Sequence, residues 1–372
     1  IDFGTTNSHI EYKIDGQGSE KSFDISESDI QIGFLMPSNT PSRSEAVRTI
    51  LDGESHLKQE VISKFFGKSE VRNAPFRTCL VENKDVNYNL PTFVFADANA
   101  AFDYEKVAIR KYLKAFTDLK WANNKTDNNQ RLTHYIEELL LLCKNKVLLN
   151  NGNMSNTKVT WFYPVSMSSP HLNRLRTIWR ASFKSIFGQN VKESNLIDFP
   201  ESVAPFYYYK AKEGINSMAK PSVSIDIGGG TTDIMIYADG EPKLISSFRF
   251  AGNAIFGDGF NGNINSNGFV KKYYAEFKEI LSQNDLKVEL EILEKLFNDN
   301  QNSQDLINFF FSLNENKNIK EKQLKNLNFS LKLAEDSDFK IIFLLFYAAI
   351  VYHIAELMKI KKIESPRNIV FS

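Results

Sequence analysis

The chain has 372 residues, of which 42% are hydrophobic and 24% are charged, a composition typical of a globular protein long enough for two domains. Lysine and arginine together number 45, and aspartate and glutamate also number 45, so the formal net charge is zero. This balance gives no electrostatic support to a general nucleic-acid or membrane-surface binder, and we expect neither partner.

In chain order, the first predicted element is a short strand that ends at Phe3, followed by a return strand over 9–14. Apolar spacing over 101–121 predicts a helix. A polar loop at 123–131 then precedes an amphipathic helix over 132–149. Between the return strand and about residue 74, the sequence has a mixed pattern with polar loops.

The next predicted element is a β-rich run over 158–168, and a helix with one apolar face follows Pro170. The segment 223–237 is strongly β-prone but is interrupted by GGGTT. Helical segments follow, and residues 368–372 begin a strand. Alternating strands and helices place the chain in the α/β class. Both ends fall inside elements, so we expect a piece of a longer protein.

A long apolar run at 341–358 has the composition of a membrane span. It carries His353 and Glu356, and its purely apolar part is shorter than the roughly 20 residues that a span requires. We therefore predict a buried helix in a large core.

The two cysteines, Cys79 and Cys143, lie far apart, and neither belongs to a CxxC pair. A disulfide framework or a zinc site is therefore not expected. No signal peptide is visible, although the chain begins within a predicted strand. We expect a reducing compartment and a cytoplasmic location.

The most informative feature is a repeated motif. Residues 1–6 read IDFGTT and residues 225–232 read IDIGGGTT. Each copy is a strand with an aspartate at its end, a glycine turn, paired threonines and a return strand. The separation is far too long for a solenoid repeat and fits a duplicated domain.

These residue types suit a polyphosphate and its metal ion. Glycines let phosphate oxygens approach backbone N–H groups, and the threonines add hydroxyl donors. Asp2 and Asp226 can hold a hydrated Mg²⁺, which keeps most of its waters and needs few carboxylates. Each aspartate would otherwise be a costly partly buried charge. The sequence therefore predicts two turns that bind one nucleotide from both sides.

The same residues resemble the actin-like ATPase superfamily, which includes the Hsp70 chaperones, actin, bacterial actin-like filament proteins and sugar kinases. IDFGTTNS is similar to the first phosphate loop of Hsp70, and DIGGGTTDI at 226–234 is similar to the second. Thr232 stands where Hsp70 usually has phenylalanine, which is closer to the bacterial actin-like proteins. Looser similarity extends through WFYPVSMSSPHLNRLRTIW at 161–179 and FPESVAPFYYY at 199–209.

The resemblance implies two actin-like (ribonuclease H-like) α/β domains with a nucleotide cleft between them, each carrying an inserted subdomain. The first domain would span 1–215 with an insertion at about 35–130, and the second 216–372 with an insertion at about 261–335. The family's adenosine-binding glycine loop would follow residue 372, so the second domain would be truncated at its C-terminus.

The resemblance also implies ATP or ADP with Mg²⁺ as cofactors, and it assigns site residues by position. The metal residues would be Asp2, Asp226 and Asp233, and the catalytic residues Lys120, Glu201 and Asp226. The nucleotide-binding residues would be Gly4, Thr5, Thr6, Asn7, Gly228, Gly229, Gly230, Thr231 and Thr232.

Two of these assignments have ordinary alternatives. Lys120 in FTDLKWA resembles the catalytic lysine of Hsp70, but it could equally be a surface lysine. Glu201 matches a family glutamate that helps to place metal and attacking water, but a carboxylate at a helix start is also favoured by the helix dipole. Pro205 and a missing threonine depart from the family pattern in this segment.

Several functions are open within this fold. The first hypothesis is an Hsp70-like ATPase module whose cleft opens and closes with nucleotide state and acts on a protein partner. The second is a self-associating, filament-forming actin-like protein. A small-metabolite kinase would need a substrate base that the sequence does not identify, and a nucleotide-binding scaffold without turnover would need neither base nor hydrolysis.

Overall fold

The computed structural model describes residues 1–25, 72–83, 86–90, 92, 97–100, 113–205, 207–208, 221–239, 241–256, 267–298 and 303–372. The chain divides into two compact units, Ile1–Glu201 and Ser202–Ser372. The predicted insertion at 35–130 lies largely outside the described residues, as does the predicted boundary after residue 215. Both stay predictions.

The first unit combines short strands with two long helices. The helices are α1 (Thr126–Leu149) and α2 (Ser169–Phe187), and a 3-10 turn spans Leu119–Trp121. The strands are β1 (Asp2–Phe3), β2 (Asn7–His9), β3 (Glu11–Tyr12), β4 (Lys21–Ser22), β5 (Asp24–Ile25), β6 (Arg72–Asn73), β7 (Phe76–Arg77), β8 (Leu80–Asn83), β9 (Ala98–Ala100), β10 (Leu113–Phe116), β11 (Val159–Tyr163) and β12 (Leu196–Pro200).

The strands that carry the first motif form an ordered layer. β1, β2 and β7 are neighbours in that order and pair antiparallel, whereas β11 and β12 pair in parallel. The backbone nitrogen of Ile1 donates to the carbonyl of Thr160 at 2.6 Å, which brings β1 alongside β11. Numbered along the chain, these five strands therefore lie in the spatial order third, second, first, fourth, fifth.

Helices α1 and α2 cover this layer with aromatic and aliphatic side chains. Trp161 on β11 stacks on Trp179 of α2 with ring centroids 5.2 Å apart, and Phe3 of β1 meets Tyr135 of α1. The predicted apolar face of α2 is confirmed, since its 3.6-residue period brings Leu175, Ile178, Trp179, Phe183 and Ile186 into the core.

Two expectations for this unit were wrong. Residues 113–116, inside the predicted helix over 101–121, form strand β10, which pairs antiparallel with β8; residues 101–112 lie outside the described part. Short apolar runs fit either period, and pairing with β8 decides between them. Helix α1 also begins at Thr126, within the predicted polar loop.

The second unit repeats the strand order of the first. Its sheet is ordered β15-β14-β13-β16, where β13 to β15 pair antiparallel and β16 lies parallel to β13. This is again third, second, first, fourth. The strands are β13 (Ser222–Ile227), β14 (Thr232–Ala238), β15 (Glu241–Phe248) and β16 (Asn368–Phe371), and the helices are α3 (Gly252–Phe256), α4 (Gly268–Gln283), α5 (Lys287–Asn298), α6 (Ser303–Ser312), α7 (Lys317–Glu321), α8 (Phe329–Glu335) and α9 (Ser337–Ile360).

Helix α9 does not have the environment that its composition predicts. Its 18-residue apolar window has a mean hydropathy of 2.1, and length and composition would allow it to cross a membrane, yet only 22% of that window is buried. One stripe, Phe346, Ile350, Ile354 and Met358, packs against β13 and β14. The prediction of a fully buried core helix was wrong, because Leu344, at 68%, is among several apolar side chains exposed in the described structure.

Asp336 anchors the start of α9. Its carboxylate accepts the backbone N–H groups of Asp338 and Phe339, the ammonium of Lys272 at 2.7 Å and the hydroxyl of Tyr273. Burial alone would raise the pKa of Asp336, but these donors together lower it to about 2.

We expect Asp336→Asn to destabilise the chain by about 1–3 kcal/mol at neutral pH, because it weakens hydrogen bonds to a charged acceptor. Since the folded pKa is below that of the unfolded carboxyl, this stabilisation is complete above about pH 4 and disappears as the pH falls towards 2. Thermal unfolding of both forms between pH 2 and 7 measures it. Equal differences at pH 7 and pH 2.5 would contradict the assignment.

Candidate functional site

The two motifs fold into hairpin loops of the same length. In the first, Phe3 pairs with Ser8, so residues 4–7 form the first loop. In the second, Ile227 pairs with Thr232, so residues 228–231 form the second loop. This register aligns Gly4 with Gly228 but not the paired threonines. Thr5 and Thr6 lie at the tip of the first loop, where the second loop has glycines.

The first glycine of each loop allows a close approach of backbone to backbone. A Cβ on Gly4 would lie 2.3 Å from the carbonyl oxygen of Asn7, and a Cβ on Gly228 would lie 3.2 Å from the carbonyl oxygen of Thr231. In both loops the obstructing atom is the carbonyl three residues onward. Space therefore requires glycine at position 4 and favours it at the equivalent position 228 of the second hairpin.

Thr78, which the sequence analysis did not single out, holds the first loop from behind. Its hydroxyl donates to the carbonyl of Gly4 at 2.9 Å, and its backbone N–H donates to the carbonyl of Thr6 at 2.8 Å. The buried hydroxyl of Ser8 completes this contact at 2.9 Å from the Thr78 oxygen. The carbonyls of Gly4 and Thr6 thus accept hydrogen bonds from within the unit. No local sequence motif around Thr78 predicts this role.

Lys120 and Glu201 form a buried ion pair within the first unit. The ammonium of Lys120 donates to a carboxylate oxygen of Glu201, and the two side chains are only 2% and 12% exposed. The backbone N–H of Glu201 donates to the carbonyl of Tyr163, at the end of β11. The surface-lysine alternative for Lys120 is therefore wrong, and the structure brings together two of the predicted catalytic side chains.

The second loop is held by the segment that leads into α3. The N–H of Gly252 donates to the carbonyl of Gly228, and the N–H of Asn253 donates to the carbonyl of Gly229, both at 2.9 Å. The N–H groups of Gly229 and Gly230 make no hydrogen bond to any residue that the structure describes. The only sequence signal for this support was the glycine in RFAGN, which the sequence analysis passed over.

Two of the predicted metal residues face each other across the second hairpin. Asp226 on β13 pairs in register with Asp233 on β14, and Asp233 is 2% exposed. Opposed carboxylates repel each other, so a nearby cation would stabilise them. Asp2 pairs in register with His9 and is exposed. Within the described residues, no group of three or more potential metal-ligating side chains occurs.

Thr231, the last residue of the second loop, and Thr232, the first residue of β14, are both buried. Thr231 is 5% exposed and Thr232 is fully buried. The hydroxyl of Thr232 donates to the carbonyl of Phe250 at 2.6 Å, so its proton is already used within the unit. This contact ties β14 to the segment before α3 and gives Thr232 a structural part in the hairpin.

The solved structures that are similar to part of the chain include three with a bound nucleotide. The crystal structure of MreB5 of Spiroplasma citri bound to ADP aligns at 19% identity and a TM-score of 0.33, over 51% of this chain and 49% of that chain. The structure of MreB5 of Spiroplasma citri bound to AMPPNP aligns at 20% identity and a TM-score of 0.32, with the same coverage. The structure of a non-polymerising MamK mutant bound to AMPPNP aligns at 16% identity and a TM-score of 0.29, over 50% of this chain and 51% of that chain.

The chain spans about half the length of the chains that it matches. No protein-family model and no curated protein matches the sequence.

Proposed function

We propose that this protein is a nucleotide-binding, Mg²⁺-dependent ATPase module of the actin-like type. The first and second loops would bind the same polyphosphate chain, one loop from each unit, in a cleft that opens and closes with nucleotide state. Hydrolysis of ATP would be the signal that the module passes to a protein partner or to another copy of itself.

The observation that carries this proposal is the duplication. Both units place an aspartate, a space-restricted glycine and a four-residue loop at the same point of a first hairpin, and in both the return strand of that hairpin pairs antiparallel with a third strand. A single hairpin of this kind could be an ordinary turn. Two in the same register support a shared role, since a polyphosphate has charged oxygens to occupy both.

The donors of the loops fit phosphate oxygens. The N–H groups of Gly229 and Gly230, which donate to no residue in the described part of the chain, would supply the anion-binding donors that glycine-rich turns provide. The first loop has no glycine at these positions and would contact the phosphate through Thr5 and Thr6. Thr232 is left out of the proposed contacts because its hydroxyl is already engaged.

The acidic residues fit a magnesium ion by chemistry. Asp226 and Asp233 face each other across one hairpin, and Mg²⁺ prefers one or two carboxylates plus waters and phosphate oxygens. With Asp2 they would hold the ion, which would neutralise charge on the β- and γ-phosphates. In the absence of the ion, their like charges would oppose the binding of a polyanion.

Lys120 and Glu201 would act on the terminal phosphate. Phosphoryl transfer requires positioning and charge stabilisation more than covalent chemistry. The Lys120 ammonium would stabilise the charge on the transferred phosphoryl group, and the Glu201 carboxylate would orient the attacking water. Their ion pair keeps both groups in place and balances both charges before the nucleotide arrives.

Isothermal titration of the chain with ATP, ADP and AMPPNP, with and without Mg²⁺, tests the proposal. We expect saturable binding that strengthens with Mg²⁺, and we expect Asp226→Asn to weaken Mg²⁺-dependent binding at least about tenfold, which corresponds to about 1.4 kcal/mol. Asp239→Asn, in an exposed turn of the same unit, is the matched control and should bind as the unsubstituted chain does.

The outcomes also separate the kinds of function. Absence of saturable binding to any of the three nucleotides would overturn the proposal. Binding with steady release of phosphate supports an ATPase, whereas binding without release would make the protein a nucleotide-dependent scaffold. ATP-dependent sedimentation would favour a filament-forming protein over an Hsp70-like module that acts on a separate partner.

A further inference from the structure

We propose that Trp121 is a positioning residue that sets the hydroxyl of Thr5 as a hydrogen-bond donor to phosphate. The inference rests on the proposed function and deepens it, because it assigns a role to a residue outside both loops. Trp121 directly follows Lys120 in the chain, and its indole N–H donates to the Thr5 hydroxyl oxygen at 2.9 Å.

The hydrogen bond determines which way the hydroxyl of Thr5 can act. A threonine hydroxyl has one proton and two acceptor lone pairs, and an indole N–H can only donate. Trp121 therefore occupies an acceptor position of Thr5, and the Thr5 proton must point elsewhere. Thr5 donates to no residue in the described ranges, so that proton is available to an acceptor that enters the loop. A phosphate oxygen is such an acceptor.

Helix α2 fixes the position of Trp121. His171 Nε2 lies 2.8 Å from the carbonyl oxygen of Lys120 and 3.0 Å from a guanidinium nitrogen of Arg174. Arg174 donates to the carbonyl of Ala122 at 2.6 Å. Side chains of one helix thus contact the carbonyl groups of the two residues that flank Trp121, and the indole ring meets the His171 ring edge-on at 6.0 Å.

This arrangement couples the lysine turn to the first loop. The same short 3-10 turn, Leu119–Trp121, carries the ammonium that pairs with Glu201 and the indole that orders Thr5. Any shift of the turn that moves Lys120 would also change the donor at Thr5. Nucleotide binding should therefore change the surroundings of the Trp121 indole.

A double-mutant cycle tests the proposal by titration with Mg²⁺ and AMPPNP. Trp121→Phe keeps an aromatic ring and removes the N–H, Thr5→Val keeps the shape and removes the hydroxyl, and Thr5→Ser keeps the hydroxyl. We expect Trp121→Phe to weaken binding about 3- to 10-fold, the range of one hydrogen bond. Thr5→Val should weaken binding by at least as much. The double variant should bind no more weakly than Thr5→Val alone, and Thr5→Ser should weaken binding less than about twofold.

Tryptophan emission gives a second readout that a purely structural role would not move. Nucleotide should change the emission of the unsubstituted chain, and the change should be smaller in Thr5→Val, in which Trp121 is intact; this holds even if Trp121→Phe does not fold. If the losses of affinity of Trp121→Phe and Thr5→Val multiply in the double variant, Trp121 does not act through Thr5. The same conclusion follows if nucleotide changes the emission of Thr5→Val as much as that of the unsubstituted chain. If the unsubstituted chain binds no nucleotide, the proposed function fails as well.

Discussion

Gly4→Ala should abolish nucleotide binding and destabilise the first unit. The added Cβ would lie 2.3 Å from the carbonyl oxygen of Asn7, closer than real Cβ contacts allow. The obstructing atom belongs to the backbone of a four-residue hairpin loop whose carbonyls are held by Thr78, so it cannot move aside cheaply. We expect a loss of about 3 kcal/mol in the free energy of unfolding, the upper end for overpacking, measured by denaturant unfolding.

The second loop and an exposed turn provide the comparison. At Gly228 the same substitution would bring Cβ to 3.2 Å from the Thr231 carbonyl, so Gly228→Ala should cost less than Gly4→Ala in stability. Gly18→Ala is the matched control, because nothing lies within 4 Å of its Cβ, and it should change stability by no more than about 0.5 kcal/mol. Equal stabilities for Gly4→Ala and Gly18→Ala would contradict the loop geometry.

Lys120→Met should have the second large effect. Methionine retains most of the apolar stem but removes the ammonium that pairs with the Glu201 carboxylate, which is 12% exposed. Removal of one partner of a buried ion pair costs about 3–5 kcal/mol, most of it the penalty of the remaining charge. The free energy of unfolding should fall by that amount at neutral pH. In the proposed function, phosphate release from ATP should be lost as well.

The double variant Lys120→Met with Glu201→Gln separates stability from chemistry. Because neither charge remains, we expect most of the lost stability to return, while phosphate release stays absent. Lys184→Met is the matched control, since the Lys184–Glu193 pair is 38% and 67% exposed and such pairs contribute less than about 1 kcal/mol. If Lys120→Met unfolds like the unsubstituted chain, the buried pair is not formed in solution.

The local structure that can be predicted from the sequence is the part that adjacent residues specify. A glycine two residues after an aspartate at a strand end was sufficient to place both loops, because a glycine by itself allows the close backbone approach that the turn needs. The apolar face of α2 could also be predicted, because it follows from the spacing of apolar residues within one helix. Strand β10 was missed because only its pairing with β8 distinguishes it from a helix.

The support of the candidate site could not be predicted, since it comes from residues distant along the chain. Thr78 reaches Gly4 across 74 positions, Lys120 reaches Glu201 across 81, and Trp121 reaches Thr5 across 116. A threonine, a lysine or a tryptophan in a mixed stretch carries no sign of the partner that folding brings to it. The alignment of Thr5 with Gly229 rather than with Thr231 depends on the pairing of Phe3 with Ser8 and of Ile227 with Thr232, which the motif alone does not give.

The sequence by itself determined the duplication, the two hairpins and their acidic and glycine residues, because these depend on short-range geometry and on the chemistry of single side chains. Tertiary structure alone decided that Lys120 is buried beside Glu201 and that α9 buries only one stripe of its apolar surface. The physical reason is that burial depends on what packs against a residue. Composition measures how apolar a segment is, but not which of its faces has a neighbour.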